Sequence, residues 1–220
     1  MFSKFSLEIH NLIYESFPET YFVGGAVRNL LLGKKVSDYD ISTAATPSQI
    51  VKLFKKKGVS YSDDHANLGV ITARKHTQKI EITTFRKELY SQSRFPKVSF
   101  VTNAKTDSNR RDFTINALYF NPVTKEILDF HNGLKDLQKQ SLKFIGNSLK
   151  KIKEDPLRIV RAYRFQLQYK LKIDAVTQRT LNKNKSLLKT ISKARIEKEI
   201  NAVKHNSLQK ILQKVIHSNA

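Results

Sequence analysis

Two aspartates separated by one residue, Asp38 and Asp40, are the first groups in this sequence that could perform chemistry. Alternate residues of a β-strand project from the same face, so a strand over 38–42 would place the two carboxylates side by side. Adjacent anions repel, and Mg²⁺ relieves that repulsion with hard oxygen ligands while leaving positions open for substrate phosphates. The pattern indicates a magnesium site, although two solvated carboxylates at a strand end would look the same.

A glycine pair, Gly24-Gly25, precedes these aspartates, between a predicted strand over 21–23 and a predicted helix over 26–32. Glycines let the backbone approach a ligand, a helix N-terminus favours anions, and the guanidinium of Arg28 can fork onto phosphate oxygens. This indicates a phosphate-binding turn, with an ordinary strand–turn–helix as the alternative. Further along, Glu81 is a charge inside an apolar strand, and it is either solvent-facing or a third carboxylate beside the pair.

Two arginines, Arg110 and Arg111, open a predicted helix over 110–118, where their charge opposes the helix dipole. Positive charge at a helix N-terminus is unfavourable, so its presence there indicates a candidate functional site. A bound nucleotide phosphate would neutralise that charge. The alternative is an arginine pair bound to surface carboxylates.

The segment from Glu154 to Arg164 predicts a second set of binding groups on a helix over 155–170. Asp155 can cap that helix, and Arg158, three residues later, is its neighbour on the helix surface. A carboxylate acceptor beside a guanidinium donor forms a hydrogen-bonding edge that can read a flat base. Arg161 and Arg164 lie too far around the helix to share that edge, so they should contact phosphates or serve packing.

Composition restricts the class of protein. The chain has 220 residues, 40% of them apolar, and no cysteine, with a mean hydropathy of −0.45. This permits one domain, or one domain with a helical appendage, and excludes disulfides and thiolate metal sites. No run approaches the ~18 apolar residues of a membrane span, and the N-terminal segment has no signal cleavage site, so a cytoplasmic location and no membrane partner are expected.

The net charge of +21 is uneven, because residues 1–130 carry 19 basic and 13 acidic groups (net +6) and residues 131–220 carry 21 and 6 (net +15). Such an excess favours polyanions such as nucleic acid, although lysine-rich solvated faces would give the same count.

The hydrophobic pattern predicts an α/β (α+β) head with a small mixed sheet, followed by helices. A hairpin is expected from strands over 68–73 and 79–84, and short strands near Tyr119 and Ile127. Residues 86–109 are polar and irregular and predict a mobile loop. Helices are expected over 5–16, 47–57, 134–140, 155–170, 175–186, 193–204 and 206–217, with Thr46 as the cap of the second.

Six motifs occur together in order: YFVGGAVRNLLLG, SDYDIST, IEITTFR, RRDFTINAL, DFHNGLKDL and EDPLRIVRAYRF. Over residues 20–170 they resemble the class II nucleotidyltransferases, which comprise CCA-adding tRNA nucleotidyltransferases and bacterial poly(A) polymerases. The resemblance implies a nucleotidyltransferase head over 1–140 and a nucleotide-selecting helical neck with a truncated body over 141–220. It also implies Mg²⁺ as cofactor, CTP and ATP as substrates and the 3′ acceptor end of tRNA as partner; the oligomeric state is left open.

The resemblance assigns roles to individual residues of three kinds. Asp38 and Asp40 would bind Mg²⁺, with Glu81 as a third catalytic carboxylate. Asp155 and Arg158 would accept CTP and then ATP by imitating a Watson–Crick partner. The remaining nucleotide-binding residues would be Gly24, Gly25, Arg28, Arg111, Asp112, Glu154, Arg161 and Arg164.

Some features depart from the family pattern. Asn29 stands where an aspartate is usual, and His131-Asn132-Gly133 replaces the usual glycine-rich sequence. Family members are commonly about twice this length. The stretch 86–109, with Arg94 and Asp107, resembles a loop that helps to switch specificity from C to A.

The function expected from the sequence is completion of the CCA end of tRNA. An A-adding, CC-adding or poly(A)-adding enzyme shares the same motifs. A non-catalytic basic RNA-binding module is the alternative from a different class.

Overall fold

The computed structural model describes residues 2–91, 96–203 and 205–217. The chain forms two compact units. The first contains Met1–Arg111 and Asn116–Gly133, and the second contains Asp112–Ile115 and Leu134–Ala220. The predicted fold class, a mixed α/β head followed by a helical region, is confirmed. The predicted division of labour between residues 1–140 and 141–220 stays a prediction.

A seven-stranded sheet organises the first unit. Its strands are β1 (Thr20–Val23), β2 (Tyr39–Thr43), β3 (Tyr61–His65), β4 (Val70–Lys75), β5 (Gln78–Thr84), β8 (Leu118–Phe120) and β9 (Ile127–Asp129). They lie in the order β3-β4-β5-β2-β1-β8-β9, in which β2 and β5 are parallel and the other neighbours are antiparallel.

Strict alternation gives this sheet two different faces. On β2 and β5 the apolar residues Ile41, Ile80 and Ile82 are fully buried, whereas Asp40 and Glu81 between them project from the opposite face. Burial of the isoleucines fixes the register, because a slip of one residue would turn every side chain to the wrong side.

Among its described residues, the first unit has the helices α1 (Lys4–Tyr14), α2 (Gly25–Leu31), α3 (Pro47–Lys57) and α4 (Ala104–Ser108). The predicted start of α3 is confirmed: Thr46 caps it in a capping box with Gln49, and Pro47 occupies its first turn. Ile50 and Phe54 of α3 are fully buried.

The segment 86–109 is not the predicted irregular loop. It forms an antiparallel hairpin of β6 (Arg86–Leu89) and β7 (Lys97–Phe100), followed by α4. The sequence did not predict these strands because charged residues interrupt the alternation of apolar and polar residues that indicates a strand. Arg94 lies outside the described residues.

The predicted helix over 110–118 is also wrong. Arg110 and Arg111 follow the C-terminal end of α4, a 3-10 turn covers 114–116, and β8 begins at Leu118. The spacing of the apolar residues resembles that of a helix because these residues are buried in two different cores. Phe113 and Ile115 are buried in the second unit, and Tyr119 is buried in the first. The arginines therefore lie where a helix dipole favours positive charge, and the predicted conflict does not exist.

The second unit consists mainly of helices, as predicted. They are α5 (Gly133–Gln138), α6 (Ser148–Glu154), α7 (Leu157–Tyr169), α8 (Ala175–Lys183), α9 (Lys193–Asn201) and α10 (Asn206–His217), with a short parallel pair of β10 (Ser141–Leu142) and β11 (Lys172–Ile173). The α7 residues Ile159, Val160 and Ala162 are fully buried and form the centre of its core.

Within the described ranges, none of the helices is long and apolar enough to cross a membrane.

Candidate active site

The turn between β1 and α2 brings backbone, a carboxylate and a guanidinium together. Gly24 has φ 70° and ψ −131°, a conformation that only glycine adopts readily. A Cβ added there would lie 3.7 Å from Asp40 Oδ2 and 3.7 Å from Arg111 Nη1. The missing side chain therefore leaves space that an acidic group and a basic group both face.

Asp40 and Glu81 are direct partners across the parallel contact of β2 and β5, on the same face of the sheet. Asp38 is exposed and lies just before β2. Burial, followed by repulsion from Glu81, raises the pKa of Asp40 to about 6, and the nearby Arg111 opposes that rise. The structure thus brings two of the three predicted carboxylates, Asp40 and Glu81, together, while Asp38 lies outside the strand and adds a smaller repulsion to Asp40.

These residues fit a hard divalent cation. Carboxylate oxygens are the ligands that Mg²⁺ prefers, and a cation would relieve the repulsion at Asp40. In the part of the chain that the structure describes, no three His, Asp or Glu side chains are grouped to hold a metal by themselves. Mg²⁺ would therefore take its remaining ligands from water and substrate phosphates, as it commonly does.

Arg111 is held at this site by neighbours in the first unit. Its Nε donates to the Tyr119 hydroxyl (3.0 Å), and its Nη2 donates to Ser42 Oγ (2.9 Å) and to Asp107 Oδ2 (3.3 Å). Burial acts to lower the pKa of Arg111, but Tyr119 and Asp107 outweigh it and raise the pKa. The guanidinium is thus a fixed positive charge whose Nη1 faces the space at Gly24.

Asp107 is the centre of this arrangement and is completely buried. It accepts hydrogen bonds from the Arg110 side chain (2.8 Å), the Tyr119 hydroxyl (2.7 Å) and the backbone N–H of Arg86 (3.1 Å), as well as from Arg111. Burial acts to raise the pKa of Asp107, but Arg110 and Arg111 outweigh it and hold the pKa at about 2. Asp107 therefore links the start of β6 to the arginine beside Gly24.

Arg28 occupies the last turn of α2 and is almost entirely buried. Its guanidinium donates to the side-chain oxygens of Asn116 and Asn29, and a Cβ at Gly25 would lie 3.5 Å from its Nη2. Asn29, one of the departures from the family pattern, thus supports this arginine. The other, His131, shares a hydrogen bond with Ser108 Oγ (2.8 Å).

The second unit holds the predicted base-reading pair near the junction of α6 and α7. Arg158 donates to Glu154 Oε2 (2.6 Å) and to the carbonyl of Lys151 (2.7 Å), so Glu154 orients it. Asp155 accepts the backbone N–H of Leu157 (3.1 Å) with one oxygen and Arg195 Nη2 (2.9 Å) with the other. Both side chains are held in place, and Asp155 has an ionic partner that sequence reasoning missed.

Helix α9 also holds the other two arginines of α7. Arg161 forms ion pairs with Asp112 (2.8 Å) and Glu199 (3.2 Å), and Arg164 forms one with Glu199 (3.0 Å). Asp112 therefore lies with Arg161 in the second unit, whereas Arg111 lies in the first. Arg195 and Glu199, four residues apart, share one face of α9, and that spacing was the signal that could have revealed them.

A comparison with models of protein families matches residues 20–143 to the poly(A) polymerase head domain. The chain belongs to this family. Its described fold, with a mixed sheet that carries paired carboxylates next to a glycine turn, agrees with the resemblance seen in the motifs.

Curated relatives are CCA-adding enzymes of bacteria. The chain is 42% identical over 183 residues to the CCA-adding enzyme of Lactobacillus helveticus, covering 82% of this chain and 45% of the relative. It is 41% identical over 180 residues to the enzyme of Enterococcus faecalis, covering 81% and 43%. The chain thus spans about half the length of the curated relatives it matches.

The fold of this chain is also similar to solved structures of such enzymes. The CCA-adding enzyme of Bacillus stearothermophilus in complex with CTP superposes with a TM-score of 0.80 at 30% identity, covering 90% of this chain and 47% of that one. A tRNA nucleotidyltransferase complexed with a primer tRNA and an incoming ATP analog has a TM-score of 0.76 at 27% identity, covering 96% and 60%.

Proposed function

We propose that this chain carries the catalytic centre of an RNA nucleotidyltransferase that adds C, C and A to the 3′ end of tRNA without a template. The observation that carries the proposal is the pair of Asp40 and Glu81 on one face of the sheet, beside the open turn at Gly24. Carboxylates next to a phosphate-binding turn suit nucleotidyl transfer, which needs positioning and charge neutralisation more than covalent help from the protein.

Each residue of the first unit then has a task. Gly24 lets the triphosphate of CTP or ATP approach the backbone, and Arg28 and Arg111 offset its charge. Asp38 and Asp40 would hold Mg²⁺, and Glu81 would add negative charge beside them. The chemistry that Mg²⁺ supplies when bound is stabilisation of the attacking 3′-hydroxyl oxygen and the leaving pyrophosphate.

Residues of the second unit would choose the base. Arg158, oriented by Glu154, presents donors, and Asp155 presents acceptor oxygens. Arg195 already donates to one oxygen of Asp155, so that oxygen is oriented as well as occupied. Arg161, which pairs with Asp112 and Glu199, and Arg164, which pairs with Glu199, would complete the nucleotide-binding residues of this unit.

The relatives support the tRNA assignment because CCA-adding enzymes are about 40% identical to this chain. The excess positive charge of residues 131–220 supports an RNA partner. The whole reaction is nevertheless a proposal for a chain about half as long as those relatives.

An incorporation assay tests the proposal. Purified protein is incubated with tRNA lacking its last one, two or three nucleotides and with each nucleoside triphosphate singly. We expect C on the two shorter substrates and A on the longest. Addition of A alone, of CC alone, or of unlimited A tails to any RNA would identify one of the related activities instead.

A matched pair of double variants tests the catalytic role of the acids. Asp38→Ala with Asp40→Ala should abolish incorporation and retain RNA binding. Asp63→Ala with Asp64→Ala removes two acidic side chains from the exposed edge strand β3 and should leave incorporation unchanged. RNA binding without incorporation by the parent protein would favour the non-catalytic module.

A further inference from the structure

The sheet face that carries Asp40 and Glu81 continues outward with basic residues. On β4 and β5 the inward positions Ile71, Ala73, Ile80 and Ile82 are fully buried. The alternate positions therefore share the face of Glu81, with Thr72 opposite Glu81 and Arg74 opposite Lys79.

Arg74 and Lys79 form a cross-strand pair of like charges, and both are exposed. Like charges directly opposite one another destabilise a sheet. Within the described ranges, neither side chain has an ion-pair partner. A local rule is broken here without a compensating contact inside the protein, which is the pattern of a site that meets an external anion.

Lys75, the residue after Arg74, is a basic side chain of the same hairpin that does have contacts within the protein. Lys75 points to the other face, where it forms an ion pair with Glu8 (3.4 Å) and lies over the ring of Phe5. Arg74 and Lys79 lie instead on the face that carries the carboxylates.

The two basic groups lie on the opposite side of Asp40 from the glycine turn. In the sheet, β1 leads into Gly24 on one side of β2, while β5 and then β4 follow on the other. Along β5, Lys79 is two residues from Glu81, a rise of about 7 Å. Positive charge thus flanks the carboxylates on both sides: Arg28 and Arg111 near the turn, and the cross-strand pair beyond Glu81.

We infer that Arg74 and Lys79 bind a backbone phosphate of the RNA strand whose 3′ end is extended. The inference rests on the proposed function and adds a binding site to it. In an in-line displacement the attacking and leaving oxygens lie on opposite sides of the phosphorus. With the triphosphate at the glycine turn, the RNA strand approaches over β5 and β4, where these two side chains can reach its phosphodiester.

The test compares two double variants with equal loss of charge. Arg74→Gln with Lys79→Gln removes the cross-strand pair, and Lys55→Gln with Lys56→Gln removes two exposed charges from α3, which packs on the opposite face. We expect the first variant to raise the KM for RNA about tenfold, with kcat at saturating RNA and the KM for CTP unchanged. The slope of log affinity for RNA against log salt should become shallower by about 0.7, because the pair contacts one phosphate and each phosphate contact on a single strand contributes about 0.7.

Other outcomes overturn the inference. Equal effects in both variants would mean that only net charge matters, and a raised KM for CTP would place the triphosphate at these residues. The thermal midpoint of the cross-strand variant should equal or exceed that of the parent protein, since a repulsive pair is removed; a lower midpoint would contradict this assignment. Absence of incorporation by the parent protein would refute the proposed function, and the salt slope of RNA binding would still test the two side chains separately.

Discussion

At the scale of single residues, the ionised carboxylate of Asp40 lowers the stability of the folded protein. Burial and the neighbouring Glu81 raise its pKa from 3.8 to about 6. The unfolded chain releases this proton at lower pH than the folded protein does. Stability therefore falls as pH rises from about 4 to about 6, and the loss remains at higher pH.

Asp40→Asn removes that loss. In EDTA at pH 7.5 we expect the variant to be more stable than the parent protein by about 3 kcal/mol, a difference that vanishes near pH 4. Denaturant unfolding across this pH range measures it, with Asp63→Asn on the exposed strand β3 as the control. Mg²⁺ should raise the thermal midpoint of the parent protein only, and an equal rise in Asp40→Asn would contradict a metal site at this residue.

Asp107 has the opposite character, because the fold depends on its charge. Four donors surround this buried carboxylate, and its pKa of about 2 lies below the ordinary value of 3.8. Its contribution to stability is complete above about pH 4 and is lost as the pH falls toward 2.

Asp107→Asn should cost about 2–4 kcal/mol, because Arg110 and Arg111 lose the negative partner in their buried network. The KM for CTP should also rise, since Arg111 would no longer be fixed beside Gly24. Glu126→Gln, which removes an acid from the turn before β9, should change neither quantity. A variant with reduced stability and an unchanged KM for CTP would show that the network serves the fold alone.

At the scale of elements, the hairpin of β6 and β7 is attached to the first unit through its base. The ring of Phe100 packs on Gly69, which has φ 81°, and a Cβ added there would lie 2.7 Å from the ring. The guanidinium of Arg86 donates to the carbonyl of Leu68 beside it. Gly69 therefore serves both the turn before β4 and the attachment of the hairpin.

Gly69→Ala should release that attachment. Gly58 also has a left-handed φ, of 66°, but has nothing within 4 Å of an added Cβ, so Gly58→Ala carries the backbone strain alone. We expect about 1 kcal/mol of destabilisation from Gly58→Ala and a larger cost from Gly69→Ala. Hydrogen exchange should accelerate in β6 and β7 only in Gly69→Ala; equal exchange in both variants would refute the role of the Phe100 contact.

The sequence predicted elements wherever one face of an element is apolar. The hairpin of β4 and β5 and helix α3 match their expected positions closely because buried isoleucines alternate on the strands and recur at helical spacing in α3. Strand β3 was missed because its sequence, YSDDH, is polar and shows no apolar alternation. Its extended conformation is stabilised by backbone pairing with β4. The two-residue strands β10 and β11 are too short to give any period.

The site was predicted in part for a similar reason. A glycine turn and paired aspartates are visible as residue types, and β-strand geometry implies that Asp40 faces its neighbour Glu81 once β2 and β5 pair. No pattern shows that these strands pair, nor that Arg195 of α9 meets Asp155, because such contacts join distant segments. The roles of the residues in catalysis stay predictions.

At the scale of the whole molecule, charge is the dominant property. A net charge of +21 on 220 residues repels itself, and residues 131–220 carry most of the excess. Salt screens that repulsion, so the free protein should gain stability as salt is added.

We expect the thermal midpoint to rise by roughly 2–4 °C between 0.05 and 0.5 M NaCl, which corresponds to about 1 kcal/mol. Replacing the exposed residues Lys139, Lys183 and Lys189 by Glu lowers the net charge from +21 to +15 and should reduce the rise. Scanning fluorimetry measures both proteins, and an equal rise in each would show that self-repulsion is not the cause.

The parallel contact of β2 and β5 has one more consequence. Asp40 and Glu81 are neighbours only because Ile41 and Ile82 are buried opposite one another on the reverse side of the same strands. Enlarging or shrinking either isoleucine would alter the spacing of the carboxylates through the backbone. The proposed nucleotidyl transfer would therefore also depend on apolar side chains that never meet a substrate, and random mutagenesis of this chain should recover variants that incorporate nucleotides slowly with every polar group intact.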